Sequence, residues 1–571
     1  MQPIETIRHS LSHIMAAAVR EIYPGTKFGI GPDIENGFYY DFDLKQKATP
    51  EDLPKIEQKM KEIIKENIAF KNKKITKKEA SRLFKNQPYK LELIKELKEK
   101  EVGIYQNGDF IDLCKGPHVK SSKEIPSDAF KLTKLAGAYW RGSEKNKMLT
   151  RIYGLAFASK KELEDYLKLQ EEAEKRDHRK IGNILDLYSF NEIAPGATFW
   201  HPKGMAIIKE LESYWRKEHE KMGYLETSTP IMVKKELYEK SGHWEHYKEN
   251  IFTLEVEKEI FCLKPMNCPG STLIYSNKIR SYKDLPLRLS EIGNLHRNEL
   301  SGTLSGLFRV RQITMDDAHI YCRPDQIQEE IKNLLKFIKD FYKIFGFEPD
   351  FKFATRPDNF MGDPKLWSKA EKALEFSLQE NKLKYETKLK DGAFYGPKID
   401  IHITDALKRS WQMATIQLDF QTPEKFKLFY IDQKGTKNIP VIIHRAIFGS
   451  FERFLGILIE HYAGALPLWL SPVQAWVLPI GSEHRKYAEE IQKQLKALGV
   501  RVEAKTEAET VSKKIREGEI QKIPYILVVG EREIKANSVR VRQRQKGDIG
   551  EVSLDKFIER INKEIVEKII F

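Results

Sequence analysis

Cysteine is scarce. The 571 residues hold only Cys114, Cys262, Cys268 and Cys322, too few and too dispersed for a disulfide framework, so a reducing compartment is expected. No apolar run approaches the ~18 residues of a membrane span, and the N-terminus MQPIETIRHSLSHIM lacks the charged-then-apolar plan of a signal peptide. A cytoplasmic location without a membrane partner is therefore expected. Acid is also in deficit: 97 Lys and Arg stand against 83 Asp and Glu, a net charge of +14. That balance fits a partner carrying phosphates, and a lysine-rich protein with no such partner has it too. At ~100–200 residues per domain, three or four domains are expected.

What is present is organised around HRNELSGTLSGLFRVRQITMDDAHIYC, residues 296–322. The pattern predicts two strands joined by a loop, with His296 to Glu299 closing the first and Phe308 to Tyr321 running as the second. Strand alternation would set Arg309, Arg311, Met315, Asp317 and His319 on one face. An edge ribbon with a solvated polar side has the same pattern. The chemical mix argues for a site: guanidinium forks suit carboxylate and phosphate oxygens, Glu299 suits an amine or a metal, and His319 is a possible metal ligand. Arg297 and Glu299, a loop and then Arg309 resemble motif 2 of class II aminoacyl-tRNA synthetases, and DDAHIYC is similar to the threonyl-tRNA synthetase family.

Helical periodicity begins at IRHSLSHIMAAAVREIY. At about 100° per residue, Ile7, Leu11, Ile14, Met15 and Ala18 share one face, and His9 and His13 fall on the other. GIGPDIENGFYYDFDL reads as a hairpin turning at Asn36-Gly37, followed by a charged helical stretch to about Lys100 whose Lys and Glu runs read as solvated faces. GIYQNGDFIDLCKGPHV is a second hairpin, its Asn107-Gly108 turn tolerating positive φ, and it delivers Asp112, Cys114 and His118. HxxxH with CxxxH could hold zinc. Together with LAGAYWRG, these segments resemble the editing domain shared by threonyl- and alanyl-tRNA synthetases. The resemblance implies that His9, His13, Asp112, Cys114 and His118 hydrolyse mischarged seryl-tRNA(Thr) without a metal; a structural zinc is the alternative. KKELEDYLKLQEEAEKRDHRKIG reads as a linker helix. The family often has a further small N-terminal domain, which this chain is expected to lack.

In the middle of the chain, a long helix (Met205 to Met222) and the turn GYLETSTP leading to Pro230 resemble motif 1, which implies a homodimer. Cys268 stands in LKPMNCPG and His444 in VIIHRAIFGSFERF, 51 and 125 residues from His319. Those spacings match no local finger pattern, so a buried hydrogen-bonded His319 and an inert Cys268 remain open on spacing alone. The resemblance implies that Cys268, His319 and His444 hold one Zn²⁺ per subunit. Three protein ligands leave zinc an open position, where threonine's amine and β-hydroxyl could both bind, with Asp317 taking the hydroxyl's hydrogen bond. Valine has no hydroxyl to offer, and a site built for one rejects its absence strongly. Serine lacks only a methyl worth ~1–3 kcal/mol, so such a pocket calls for a second, hydrolytic site.

The same resemblance assigns the threonine carboxylate and the ATP phosphates to Arg297 and Arg309. It gives the adenine amine to Glu299, and the far phosphates with Mg²⁺ to Arg453, in the motif 3-like GSFERFLG that also contains Ser450. Lys398 is placed in the catalytic set, and Tyr395, Gln412, Gln417 and Ser450 among the substrate-binding residues. One departure stands out: Met315 occupies a position where the family usually has Gln, so carboxylate binding rests on Arg297 or another group.

From VQAWVLPI onward, short apolar strands alternate with helices (His484 to Leu498, Thr510 to Lys522, Leu554 to Ile569), the pattern of α/β packing around a mostly parallel sheet. In SVRVRQRQKG, Val539 and Val541 alternate with Arg540, Arg542 and Arg544, a basic face for phosphates or a solvated edge strand. The segment resembles the class IIa anticodon-binding domain. Lys505 and Glu507 depart from that family's loop pattern, so its anticodon contacts do not carry over.

The expected architecture is multidomain α+β and α/β: an editing domain (1–158), a linker helix (159–182), a class II catalytic domain on an antiparallel sheet (183–472) and an anticodon-binding domain (473–571). The expected activity is ATP-dependent ligation of L-threonine to tRNA(Thr). A non-catalytic RNA-binding paralogue is disfavoured by the presence of Arg297, Arg309 and Arg453, and a free-standing editing hydrolase by the catalytic half.

Overall fold

The computed structural model describes residues 2–570. They form two compact units with the break between Glu171 and Glu172. In the first unit, Ile7, Leu11 and Ile14 of the helix Ile4–Ile22 pack into one core with Phe38, Tyr40 and Phe42 of the strand Gly37–Asp43 and with Ile56 and Met60 of the helix Leu53–Lys65. Covered on more than one side, this helix is buried almost all round, so His13 is 2% exposed even though its face turns away from the aliphatic residues. Both hairpins form, each turning one residue from the expected pair: Ile34 pairs with Gly37 and Asn107 with Phe110, so the turns are Glu35-Asn36 and Gly108-Asp109, with Gly108 at φ +58° in the second. The charged stretch before Lys100 is not all helix: Phe70–Thr76 is a strand paired with Glu101–Asn107. Only Phe70 and Ile75 of it are buried, which is why its alternation does not show.

The second unit is built on an eight-stranded sheet. At its centre Leu287–His296, Gln312–Cys322, Val441–Ser450, Ser410–Asp419 and Lys398–Thr404 pair antiparallel in that order. Ala318, Ile320, Ile443 and Ile447 join one core with Ile331, Leu374 and Phe454 of the covering helices. Asp317 and His319, alternating with those residues, face the opposite way. Arg309 and Arg311 do not lie on the second strand as expected, because the backbone is diverted before it. The Arg309 carbonyl accepts from the Ser305 amide at 3.2 Å, and the Arg311 amide donates to the Gly196 carbonyl at 2.6 Å. Short turns at Ser301–Thr303 and Gly306–Phe308 fill the loop.

The last segment carries a five-stranded sheet that is half parallel, not mostly so: Val502–Ala504, Ala475–Pro479 and Tyr525–Val529 run parallel, and Ser538–Gln543 and Gly547–Ser553 join antiparallel. The tight turn between Gln543 and Gly547 permits no crossover. Ser538–Gln543 is an interior strand, which removes the edge-strand reading. Its basic face is partly answered within the chain, Arg540 pairing with Asp548 at 2.8 Å. Arg544 lies beyond the strand and is half-buried, donating to the Lys522 and Leu466 carbonyls.

Candidate functional site

A cavity of about 510 Å³ opens on the face of the large sheet opposite the helical core. Cys268, Arg297, Asp317, His319, Tyr395, Gln412, Gln417, His444, Ser450 and Arg453 line it, and Met315 lies among them. Glu299, Arg309 and Lys398 do not. Glu299 and Arg309 are bound to each other at 2.7 Å, and Lys398 pairs with Asp400 at 2.7 Å.

Strand register sets the centre of this cavity. His319 and His444 are direct cross-strand partners with ring centroids 5.0 Å apart, and Cys268 opens the helix Cys268–Ser276 beside them. One ligand atom from each lies within 4.8 Å of the other two, and all three side chains are buried. His444 Nε2 lies 2.9 Å from Asp419 Oδ2. Burial would push the Asp419 carboxyl up, but bonds from His444 and Thr422 outweigh it and hold it below the usual range. His444 therefore donates from Nε2, leaving the Nδ1 lone pair available, an outer carboxylate arrangement common around metal-binding imidazoles. His319 Nε2 is buried with no hydrogen-bond partner, and burial keeps this ring neutral. An orphaned imidazole nitrogen beside a thiol and a second imidazole fits a zinc ion.

Asp317 is oriented by Asn267, whose Nδ2 donates to Oδ2 at 3.2 Å. Burial raises the Asp317 carboxyl. Tyr395 donates to Gln417 Oε1. Arg453 donates from Nε to the Phe308 carbonyl at 3.0 Å, and its amide is capped by Ser450 Oγ at 3.1 Å. Burial first, then repulsion from Arg297 and Arg309, depresses the Arg453 pKa. Three guanidiniums that repel one another make a place for a polyanion.

The first unit gathers a second cluster. Ligand atoms of His9, His13, Cys114 and His118 lie within 4.8 Å of one another. Ser10 Oγ donates to the Thr6 carbonyl at 2.8 Å, so towards His118 Nδ1, at 3.1 Å, it can only accept. His118 thus presents a lone pair on Nε2 to Cys114 Sγ at 3.3 Å. Burial pushes the Cys114 thiol up to about 11, and burial with neighbouring imidazoles keeps His118 far below the ordinary range. Asp112 lies behind this cluster, 3.7 Å from His13 Nε2, and accepts from Lys90 and from Tyr40 OH.

Lys90 and Tyr40 escape a reading of the sequence alone. Lys90 belongs to the charged stretch read as solvated, yet it is 3% exposed. A signal existed, because Lys90 stands one helical turn before the buried Ile94. Asn267 and Asp419, which hold the cavity's working groups in place, carry no local signature either.

Residues 252–462 match the profile of the tRNA synthetase class II core domain (G, H, P, S and T). Residues 474–564 match an anticodon binding domain, and residues 102–153 the threonyl and alanyl tRNA synthetase second additional domain. A threonine–tRNA ligase of Carboxydothermus hydrogenoformans is 52% identical over 567 residues, spanning 99% of this chain and 89% of the relative. One from Clostridium tetani is 51% identical with the same coverage. The chain belongs to the threonine–tRNA ligase family. A solved RNA binding domain of a threonyl-tRNA synthetase from Cryptosporidium parvum superposes with a TM-score of 0.66 at 42% identity, over 68% of this chain and 98% of that one. This synthetase thus combines a class II core, an anticodon-binding domain and an editing-type additional domain. Among the described residues no helix is long and apolar enough to cross a membrane.

Proposed function

We propose that the synthetase activates L-threonine with ATP and Mg²⁺ in the large cavity, transfers it to tRNA(Thr), and removes serine from mischarged tRNA at the His9–His13–Cys114–His118 cluster. Cys268, His319 and His444 would hold zinc, which as a Lewis acid with an open position would bind the amine and hydroxyl of threonine and leave valine without a hold. The observation that carries this reading is the orphaned His319 Nε2, buried within reach of a thiol and a second imidazole in the cavity that also holds Arg297 and Arg453.

The chain's own groups then have defined tasks. Asp317, steadied by Asn267, accepts the hydroxyl's hydrogen bond. Arg297 takes the amino acid carboxylate, since Met315 offers no amide. Arg453 and Arg309 hold phosphates in line for attack, and Glu299, released from Arg309 when ATP competes for that guanidinium, takes the adenine amine. Tyr395, Gln412, Gln417, Lys398 and Ser450 border the amino acid and the tRNA end. In the first unit, Asp112 and Lys90 fix the backing of the hydrolytic cluster.

Domain limits at 1–158, 159–182, 183–472 and 473–571 accord with this division of labour. Exposed Phe199, Leu225, Ile231 and Met232, around the motif 1-like helix and turn, support a homodimer, and four free cysteines suit the cytoplasm. ATP–pyrophosphate exchange should depend on threonine, run measurably with serine and fail with valine. Seryl-tRNA hydrolysis should collapse in a His9→Ala/His13→Ala variant; unchanged hydrolysis would refute the editing assignment, and valine-driven exchange the zinc-based selection.

A further inference from the structure

The loop that carries Arg309 is gripped by a residue far from it in sequence. His178 begins the helix His178–Ile184, and its side chain is 2% exposed. Its Nε2 lies 3.0 Å from the Leu307 amide. An amide can only donate, so Nε2 must be the acceptor and Nδ1 must carry the proton. Nδ1 accordingly donates to Glu460 Oε1 at 2.6 Å, and the His178 amide donates to the same oxygen at 3.0 Å. Both ring nitrogens are therefore used, which excludes the metal site that Asp177, His178 and Glu460 would otherwise suggest.

The contact is tight and specific. The His178 ring packs at a tilt against Phe308, centroids 4.2 Å apart, and Phe308 meets Trp411 on the way to the sheet at 4.5 Å. Gly306 stands at φ +49°, and a Cβ there would come within 2.3 Å of His178 Nε2, so only glycine lets the loop approach this closely. Glu460 in turn belongs to the helix Phe451–His461 that carries Arg453, and its other oxygen accepts from Arg409 at 2.5 Å. The carbonyl of the gripped Phe308 is the one that receives Arg453 Nε.

We propose that His178 is a positioning residue for ATP: a neutral imidazole that clamps the Gly306–Phe308 turn to the Arg453 helix and so sets Arg309 and Arg453 at the spacing the triphosphate needs. This rests on the assignment of those two arginines to ATP. It is an indirect role, since the lone pair on Nε2 acts only through the Leu307 amide.

The test uses the full chain, reading pyrophosphate exchange at varied ATP. His178→Gln can place an amide oxygen near Nε2 and keep the acceptor; His178→Asn keeps a donor for Glu460 and loses it. With a lost buried hydrogen bond worth about tenfold, the Asn variant should raise the KM for ATP by about that factor, with the KM for threonine and seryl-tRNA hydrolysis unchanged, and the Gln variant should stay within about threefold of wild type. Gly306→Ala, which leaves His178 intact, should reproduce the ATP defect, and combining it with His178→Asn should add little further. An unchanged KM for ATP in both His178→Asn and Gly306→Ala would overturn the proposal, as would equal losses for threonine and ATP in every variant. Arg453→Ala separates the two readings. If it too leaves the KM for ATP unaltered, the arginine assignment fails; if it raises that KM while the His178 variants do not, only the clamp fails.

Discussion

Lys90 and Asp112 form a buried ion pair behind the N-terminal cluster, each side chain 3% exposed. Tyr40 OH and the Leu113 amide also bind the carboxylate, and Lys90 Nζ donates to Tyr40 OH at 3.0 Å. Replacing Lys90 by Met keeps the volume and strands Asp112 as an uncompensated buried charge, at a cost of about 3–5 kcal/mol. At ~1.4 kcal/mol per decade, local opening should become roughly 100- to 1,000-fold more frequent. Hydrogen exchange read on peptides from the helix Ile4–Ile22 in the intact chain reports this opening without assuming that a multidomain protein unfolds in one step. The double variant Lys90→Met/Asp112→Asn should recover most of the loss, since an uncharged pair carries no desolvation debt. Wild-type exchange in Lys90→Met, or a double variant as loose as the single one, would refute the claim that Lys90 is there to neutralise Asp112.

Two further outcomes follow from charged groups elsewhere, one buried and one half-buried. Burial pushes the Glu452 carboxyl up to about 7 although it accepts from the Thr314 amide. An acid raised in the folded state is most stabilising below its unfolded pKa near 4.5, so stability should fall by about 3 kcal/mol between pH 4.5 and 7. Glu452→Gln should flatten that slope in denaturant titrations, and an undiminished slope would contradict the assignment. Arg501, within the anticodon-binding domain, ties it to the preceding part of the chain, donating to the Ser471 and Trp469 carbonyls and pairing with Glu210. Arg501→Ala should cost about 3 kcal/mol and split thermal unfolding into two resolved transitions while threonine-dependent pyrophosphate exchange persists; a single unshifted transition would count against the tie.

Where a signal is local, the chain announces its structure. The Asn-Gly signals at 36–37 and 107–108 marked both hairpins to within one residue of their turns, and motif-like residues around Arg297 and Arg453 marked one cavity. The metal-type cluster is different in kind. His319 and His444 meet only because their strands pair in one register, and the arrival of Cys268 depends on how a helix abuts that sheet, so neither is encoded in spacing. Lys90 was hidden by its own chemistry, since a lysine among lysines reads as solvated unless the helical face it shares with Ile94 is noticed. Arg309, Arg311 and Arg544 show the converse failure. Alternation assigned each to a strand face, but loop hydrogen bonds and, for Arg544, the Lys522 and Leu466 carbonyls hold them elsewhere.

The zinc assignment is tested most directly by metal analysis of the purified chain together with pyrophosphate exchange before and after chelation. The expected result is a single zinc ion per chain that is lost in His319→Ala, with threonine-dependent exchange abolished by chelation and restored by zinc. Full threonine-dependent exchange from metal-free protein would contradict it.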